Sequence, residues 1–224
     1  YLQFLFELIG LPIRPDYWDY QYKSNHKIDA YNSLSFVGLG SIDEFTVALP
    51  EDPTPDQQAT FDQVPFINQN SNTVGVTWKR RFKDQSGFME VSLSNNSLWN
   101  TYSEYNDNAS QTELRFQNDA LESETKLRLA VNRFAEGWKW SHGLNLQRAF
   151  YENSTLNTLA AYQYNTSLDF LNYGLFAQGS KDFLQDRLAL SFGFRMDGDT
   201  FIKGSNLLKT FSPRASASYA LTPS

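Results

Sequence analysis

The chain has 224 residues, a net charge of −6, 41% hydrophobic and 16% aromatic residues, and a mean hydropathy of −0.50. No apolar run approaches the roughly 18 residues of a spanning helix, which excludes a helical membrane protein. The acidic balance argues against a nucleic-acid partner, and the absence of cysteine removes disulfides and thiolate-bound metals.

The chain opens on Tyr1 without a signal peptide, which reads as a piece of something longer. From Val74 the pattern becomes regular. Val74, Val76, Trp78 and Phe82 alternate with Gly75, Thr77, Lys79 and Arg81, and after Asp84-Gln85-Ser86-Gly87 come Met89, Val91 and Leu93 alternating with Glu90, Ser92 and Ser94. This predicts a hairpin with a tight turn. A second hairpin is predicted where Leu127, Leu129 and Val131 pass through Ala135-Glu136-Gly137 to Trp138, Trp140, Leu144 and Leu146. A third joins Leu171, Tyr173, Leu175 and Ala177 through Leu184-Gln185-Asp186 to Leu188, Leu190, Phe192, Phe194 and Met196.

Between these pairs, 48–70, with Pro50, Pro53, Pro55 and Pro65, and 104–124, with six acidic residues, read as long polar loops. Short links on one side and long ones on the other, around strands with one apolar face, predict an antiparallel transmembrane β-barrel wall. Its apolar residues are hidden in alternation, so the polar average is no objection. Counting from Tyr1 gives about ten strands. Many exceed the 9 to 11 residues of a tilted crossing, which suggests projection above the membrane. Phe82, Phe88, Phe134, Trp138 and Phe183 cluster by short turns, and Trp99, Tyr102, Phe150 and Tyr151 toward long loops, as in two interfacial belts.

Several stretches carry a resemblance. Gly193-Phe194-Arg195-Met196-Asp197, then Ser212-Pro213-Arg214, then Tyr219-Ala220-Leu221-Thr222-Pro223 resembles the later half of the barrel of TonB-dependent outer-membrane receptors. Leu11-Pro12, Arg14-Pro15, Tyr17-Trp18-Asp19-Tyr20-Gln21 and Gly38-Leu39-Gly40-Ser41-Ile42-Asp43 are similar to the receptors of Bacteroidetes-type bacteria. The resemblance implies a 22-stranded barrel with short periplasmic turns and long extracellular loops, a plug domain, a TonB complex as partner, nutrient import and, often, a surface lipoprotein lid. On this expectation residues 1–224 are an internal portion of the barrel, without the plug or the C-terminal strand, and its two sheet edges need covering in lipid.

Parity places Arg195, Asp197 and Arg214 on the luminal face. They would contact the plug or line a solute path, or the arginines would pair with Asp197 and other luminal carboxylates to hold the wall. Pro213 marks a bulge or a strand start. The basic run Lys79, Arg80, Arg81 and Lys83 reads as a solvated strand end with Arg80 snorkelling, and the acidic 104–124 stretch as solvated or as a gatherer of cations.

No cofactor, metal site or catalytic group is expected. His26 and His142 are the only histidines, no nucleophile elbow or phosphate loop occurs, and Asp197-Gly198-Asp199 fails as a calcium loop at Phe201. Two other readings compete: a ten-stranded outer-membrane protease of the omptin kind, whose rim histidine is missing, and a soluble carbohydrate-binding β-sandwich. A second sheet packed on Leu188, Leu190, Phe192 and Phe194 would establish the sandwich.

Overall fold

The computed structural model describes residues 13–47 and 52–221. Nine strands form one antiparallel sheet in simple sequential order: β1 (Ile13–Lys27), β2 (Asn32–Val47), β3 (Phe66–Arg81), β4 (Gly87–Asp107), β5 (Thr112–Ala135), β6 (Trp138–Asn157), β7 (Tyr162–Phe183), β8 (Leu188–Asp199) and β9 (Ser212–Tyr219). The three predicted hairpins are β3–β4, β5–β6 and β7–β8, each paired antiparallel across its predicted turn. Nine strands stand against the expected ten among the described residues; residues 1–12, where that count began, and Leu11-Pro12 and Thr222-Pro223 of the resembling motifs lie outside them.

The register shows why the alternation matters. Leu34, Trp78, Val91, Leu129, Leu144, Leu175 and Met196 are direct partners across seven strands, and one rung on come Phe36, Val76, Leu93, Leu127, Leu146 and Tyr173. Such rows make a continuous apolar band on one face. No second sheet is present among the described residues, and on that face Phe192 is 47% exposed. The sandwich reading is therefore discarded. Apart from Phe61 in the β2–β3 link, the only buried apolar residues described are Ala130 and Ala149, because a one-layer wall has no interior core.

Two rungs beyond the apolar band the same face turns polar. Asn72, Ser97 and Ser123 are partners there. Ser97 and Ser123 hydroxyls are 3.0 Å apart, Asn95 donates to Thr125 (3.0 Å), and Tyr20 donates to Asn72 (2.6 Å). The polar zone corrects the loop expectations. Residues 104–124 are not a long loop: β4 runs to Asp107, β5 starts at Thr112, and only 108–111 turn. Thr101 donates to Asp119 (2.9 Å) and Asn118 to Thr155 (2.8 Å), so acidic, amide and hydroxyl side chains bond across strands that are wet on both faces. At about 3.3 Å per residue the 24-residue β5 is about 80 Å long, well beyond what a tilted crossing uses.

The 48–70 stretch is likewise shorter as a loop. β3 begins at Phe66, and helix α1 (Pro55–Phe61) lies inside the link. Thr54 and Gln57 form a reciprocal cap at its start, with Pro55 in its first turn, where a missing N–H costs nothing. Buried Asn108, in the β4–β5 turn, donates to the carbonyls of Phe61 and Val64 and so seats α1 on that turn. The other links at this end are 158–161 and 200–211; among the described residues the opposite end has only 28–31, 82–86, 136–137 and 184–187. Pro213 stands at the second position of β9, so it marks a strand start.

The aromatic belts are thinner than the clustering suggests, because parity splits them. Trp138 and Phe183 share the apolar face, whereas Phe88 and Phe134 belong to the opposite one. At the other end Trp99 and Phe150 face outward, and Tyr102 and Tyr151 do not.

Candidate functional site

The face opposite the apolar band is concave. A hollow of about 1240 Å³ is lined from β4 to β9 by Lys126, Arg128, Arg195, Arg214, Gln147 and Gln178 among others. All three residues predicted to face inward share this side. Arg195 and Asp197, two residues apart on β8, form a bidentate pair: Nε donates to Oδ2 at 2.7 Å and Nη2 to Oδ1 at 2.8 Å. Asp197 is further fixed through its backbone N–H, which donates to the Thr210 hydroxyl (2.9 Å) at the end of the 3-10 helix Leu207–Thr210. That hydroxyl also donates back to the Asp197 carbonyl. One threonine thus stands in for the ladder partner that β9, starting at Ser212 opposite Arg195, does not supply.

Arg214 lies opposite Gly193, and its guanidinium makes no hydrogen bond or ion pair among the described residues. The alternative in which both arginines are tied up by luminal carboxylates holds for Arg195 alone. Two cations that sequence reading did not single out complete the lining. Lys126 pairs with Glu124 at 2.6 Å, and Glu124 also accepts from Gln147 (3.0 Å). Arg128 lies 5.4 Å from the Phe176 ring, and Phe176 covers its partner Gly143. The parity that pointed to Arg195 also points to Lys126 and Arg128.

A second hollow, about 510 Å³, lies on the same face beyond the band, lined by Asn100, Tyr102, Glu104, Arg115 and Asn118. Tyr102 donates to Glu104 (2.7 Å), while Asn100 Oδ1 and Arg115 Nε are buried without a hydrogen-bond partner among the described residues. Reading 104–124 as a loop hid Glu104, Arg115 and Asn118 of this group, since a loop has no faces.

Other singled-out groups are absorbed by the wall. Lys79 pairs with Glu90 (2.8 Å), and Arg80 and Arg81 are exposed at the strand end. Asp199 accepts from the backbone of Ile202 (2.6 Å) and from Ser205, so 197–199 shape a turn. His26 contacts Ser24 (2.8 Å), and His142 stands on the outward face between Val131 and Ala177. Neither joins an acidic group that could hold a metal among the described residues.

The geometry is a wall with a cationic, hydrogen-bonding hollow on one face and an apolar band on the other. Comparison with known proteins bears on the fold. No curated protein matches the chain. Among solved structures, the copper transporter OprC is similar with a TM-score of 0.61 at 13% identity, over 92% of this chain and 34% of that one. The outer membrane transporter YddB from Escherichia coli gives 0.59 at 10%, over 93% and 30%. BauA, the ferric preacinetobactin receptor from Acinetobacter baumannii, gives 0.54 at 8%, over 92% and 37%. The chain thus spans about a third of the length of each. The profile of the family described as TonB dependent receptor-like, beta-barrel, matches residues 11–224, and the chain belongs to that family of outer-membrane receptors.

Proposed function

We propose that this wall is part of a receptor that imports a nutrient, an iron chelate, a glycan or a peptide, by energy-coupled transport. The observation that carries the reading is the two-sided wall: a cationic hollow directly behind a face built for hydrocarbon. In this reading β1 and β9, each paired on one side only among the described residues, continue into further strands of a larger barrel. A plug domain sits within, a TonB complex acts on the plug, and a surface lipoprotein lid can cover the mouth. Arg214, with the Arg195–Asp197 pair, faces the plug or the solute path. Lys126, Arg128, Arg195 and Arg214 outnumber the carboxylates of this hollow, which favours an anionic solute or an acidic plug surface. The protein performs no catalysis.

Uptake by cells expressing the full-length receptor tests this, with iron chelates, glycans and peptides supplied singly to hosts with and without TonB. Uptake of one class that vanishes without TonB supports the reading. Uptake unchanged without TonB, or none of any class, contradicts it.

A further inference from the structure

The outward face is not uniform. Over most of the band large side chains fill each rung, but between β6 and β9 the floor drops to Ala177 and Ala215, walled by Trp140, Phe192, Phe194 and Phe211. The groove has a volume of about 570 Å³. Trp140 packs edge-on to Phe192 (5.5 Å between centroids), and Phe194 lies 5.7 Å from Phe211. Trp140 also covers Gly179, which fixes its ring as a wall.

One rung from the groove's lower end, toward the short turns, Lys181 shares the outward face with Trp138 and Leu190. Its ammonium donates to the Glu136 carbonyl (2.8 Å) and lies 5.6 Å from both the Trp138 and Phe183 rings. No carboxylate pairs with it among the described residues. A half-buried, aromatic-flanked ammonium with donors to spare therefore stands at the level of the short turns, one rung below an apolar groove on the side away from them. That is the outline of a phospholipid: phosphate below, chain above.

We propose that this surface is a site for an anionic phospholipid of the periplasmic leaflet, its phosphate on Lys181 and one acyl chain in the groove between Trp140 and Phe211. Charge complementarity selects the anionic headgroup, and the position of the ammonium by the short turns selects the leaflet. Lys181 is a specificity residue here, with no part in the luminal site.

The test is native mass spectrometry of the full-length receptor released from nanodiscs holding equal phosphatidylglycerol and phosphatidylcholine. Phosphatidylglycerol is expected to be retained about five-fold over phosphatidylcholine, the preference one surface lysine confers. Lys181→Gln should abolish the preference, and Ala177→Phe, which fills the groove, should lower retention of both lipids. Heat-modified mobility confirms that each variant is folded. Equal retention of the two lipids by the parent, a preference that survives Lys181→Gln, or retention untouched by Ala177→Phe would each overturn the proposal. So would displacement of the bound phospholipid by lipopolysaccharide, which would assign the groove to the other leaflet.

Discussion

The ring of Phe176 covers Gly143, its direct partner on β6: a Cβ on Gly143 would fall 2.9 Å from the ring and 2.0 Å from the Leu129 carbonyl. The relationship recurs, with Tyr22 over Gly38 and Trp140 over Gly179, each pair directly opposed in the register. A sheet without a second layer thus fills its own surface by laying an aromatic across a glycine. Gly143→Ala should push Phe176 and the strand apart and cost about 1–3 kcal/mol, read as a lower urea midpoint for unfolding of the full-length receptor from vesicles.

Arg195 and Asp197 are both about half exposed. Such a pair contributes about 0–1 kcal/mol, so Arg195→Ala should leave stability nearly unchanged. Arg214→Ala should do the same, since no partner is lost. Their effect belongs in transport: each should lower uptake at unchanged surface expression, and Arg214→Lys should restore part of it. A large fall in unfolding midpoint with uptake intact would assign both arginines to the wall.

Asn108 is the peg between α1 and the β4–β5 turn, donating to Phe61 and Val64 carbonyls. Asn108→Ala removes both bonds and leaves buried acceptors, a local cost of about 1–3 kcal/mol. Limited proteolysis should then cut within 52–65 several-fold faster while the barrel stays folded. Asn108→Asp, which has no donor, should behave like the alanine variant.

Short-turn carboxylates give the fold a pH dependence. The backbone N–H of Tyr31 and then the Asn32 side chain hold Asp29 below the usual range, and the Ser86 hydroxyl and backbone do so for Asp84. Because the folded values are depressed, the stabilisation is full above the unfolded value, about 3.9, and is lost as pH falls through the folded ones. Amide exchange at Tyr31 and Ser86 should accelerate below about pH 4 beyond its intrinsic trend. Asp29→Asn and Asp84→Asn should flatten that response.

The membrane-facing part of the wall was legible because its two faces differ: Leu127, Leu129 and Val131 against Lys126, Arg128 and Ala130 announce a strand. Above the membrane the contrast disappears. Asn118, Asp119 and Glu122 lie on strands, yet with both faces wet nothing in hydropathy separates them from a loop, and the cross-strand bonds that hold them are set by register. The same loss of contrast hid the grouping of Glu104 and Arg115 with Tyr102, which the sequence offered only as a belt residue. Parity alone puts Arg195 and Arg214 on the face opposite the apolar band, but it does not give the difference between them, which comes from Asp197 standing two residues from Arg195 and held by Thr210. Helix α1 was concealed by its prolines, although Thr54-Pro55-Asp56-Gln57 is a helix start by capping chemistry.

Site-directed spin labelling of residues 187–197 in the full-length receptor in bilayers reads out whether the Leu188–Met196 face meets lipid and the Arg195–Asp197 face meets water. Accessibility to oxygen should peak at Leu188, Leu190, Phe192 and Phe194, and accessibility to a polar relaxation agent should peak at the alternate positions. Uniformly low oxygen accessibility at those four residues would mean a protein-covered face and would contradict the barrel wall.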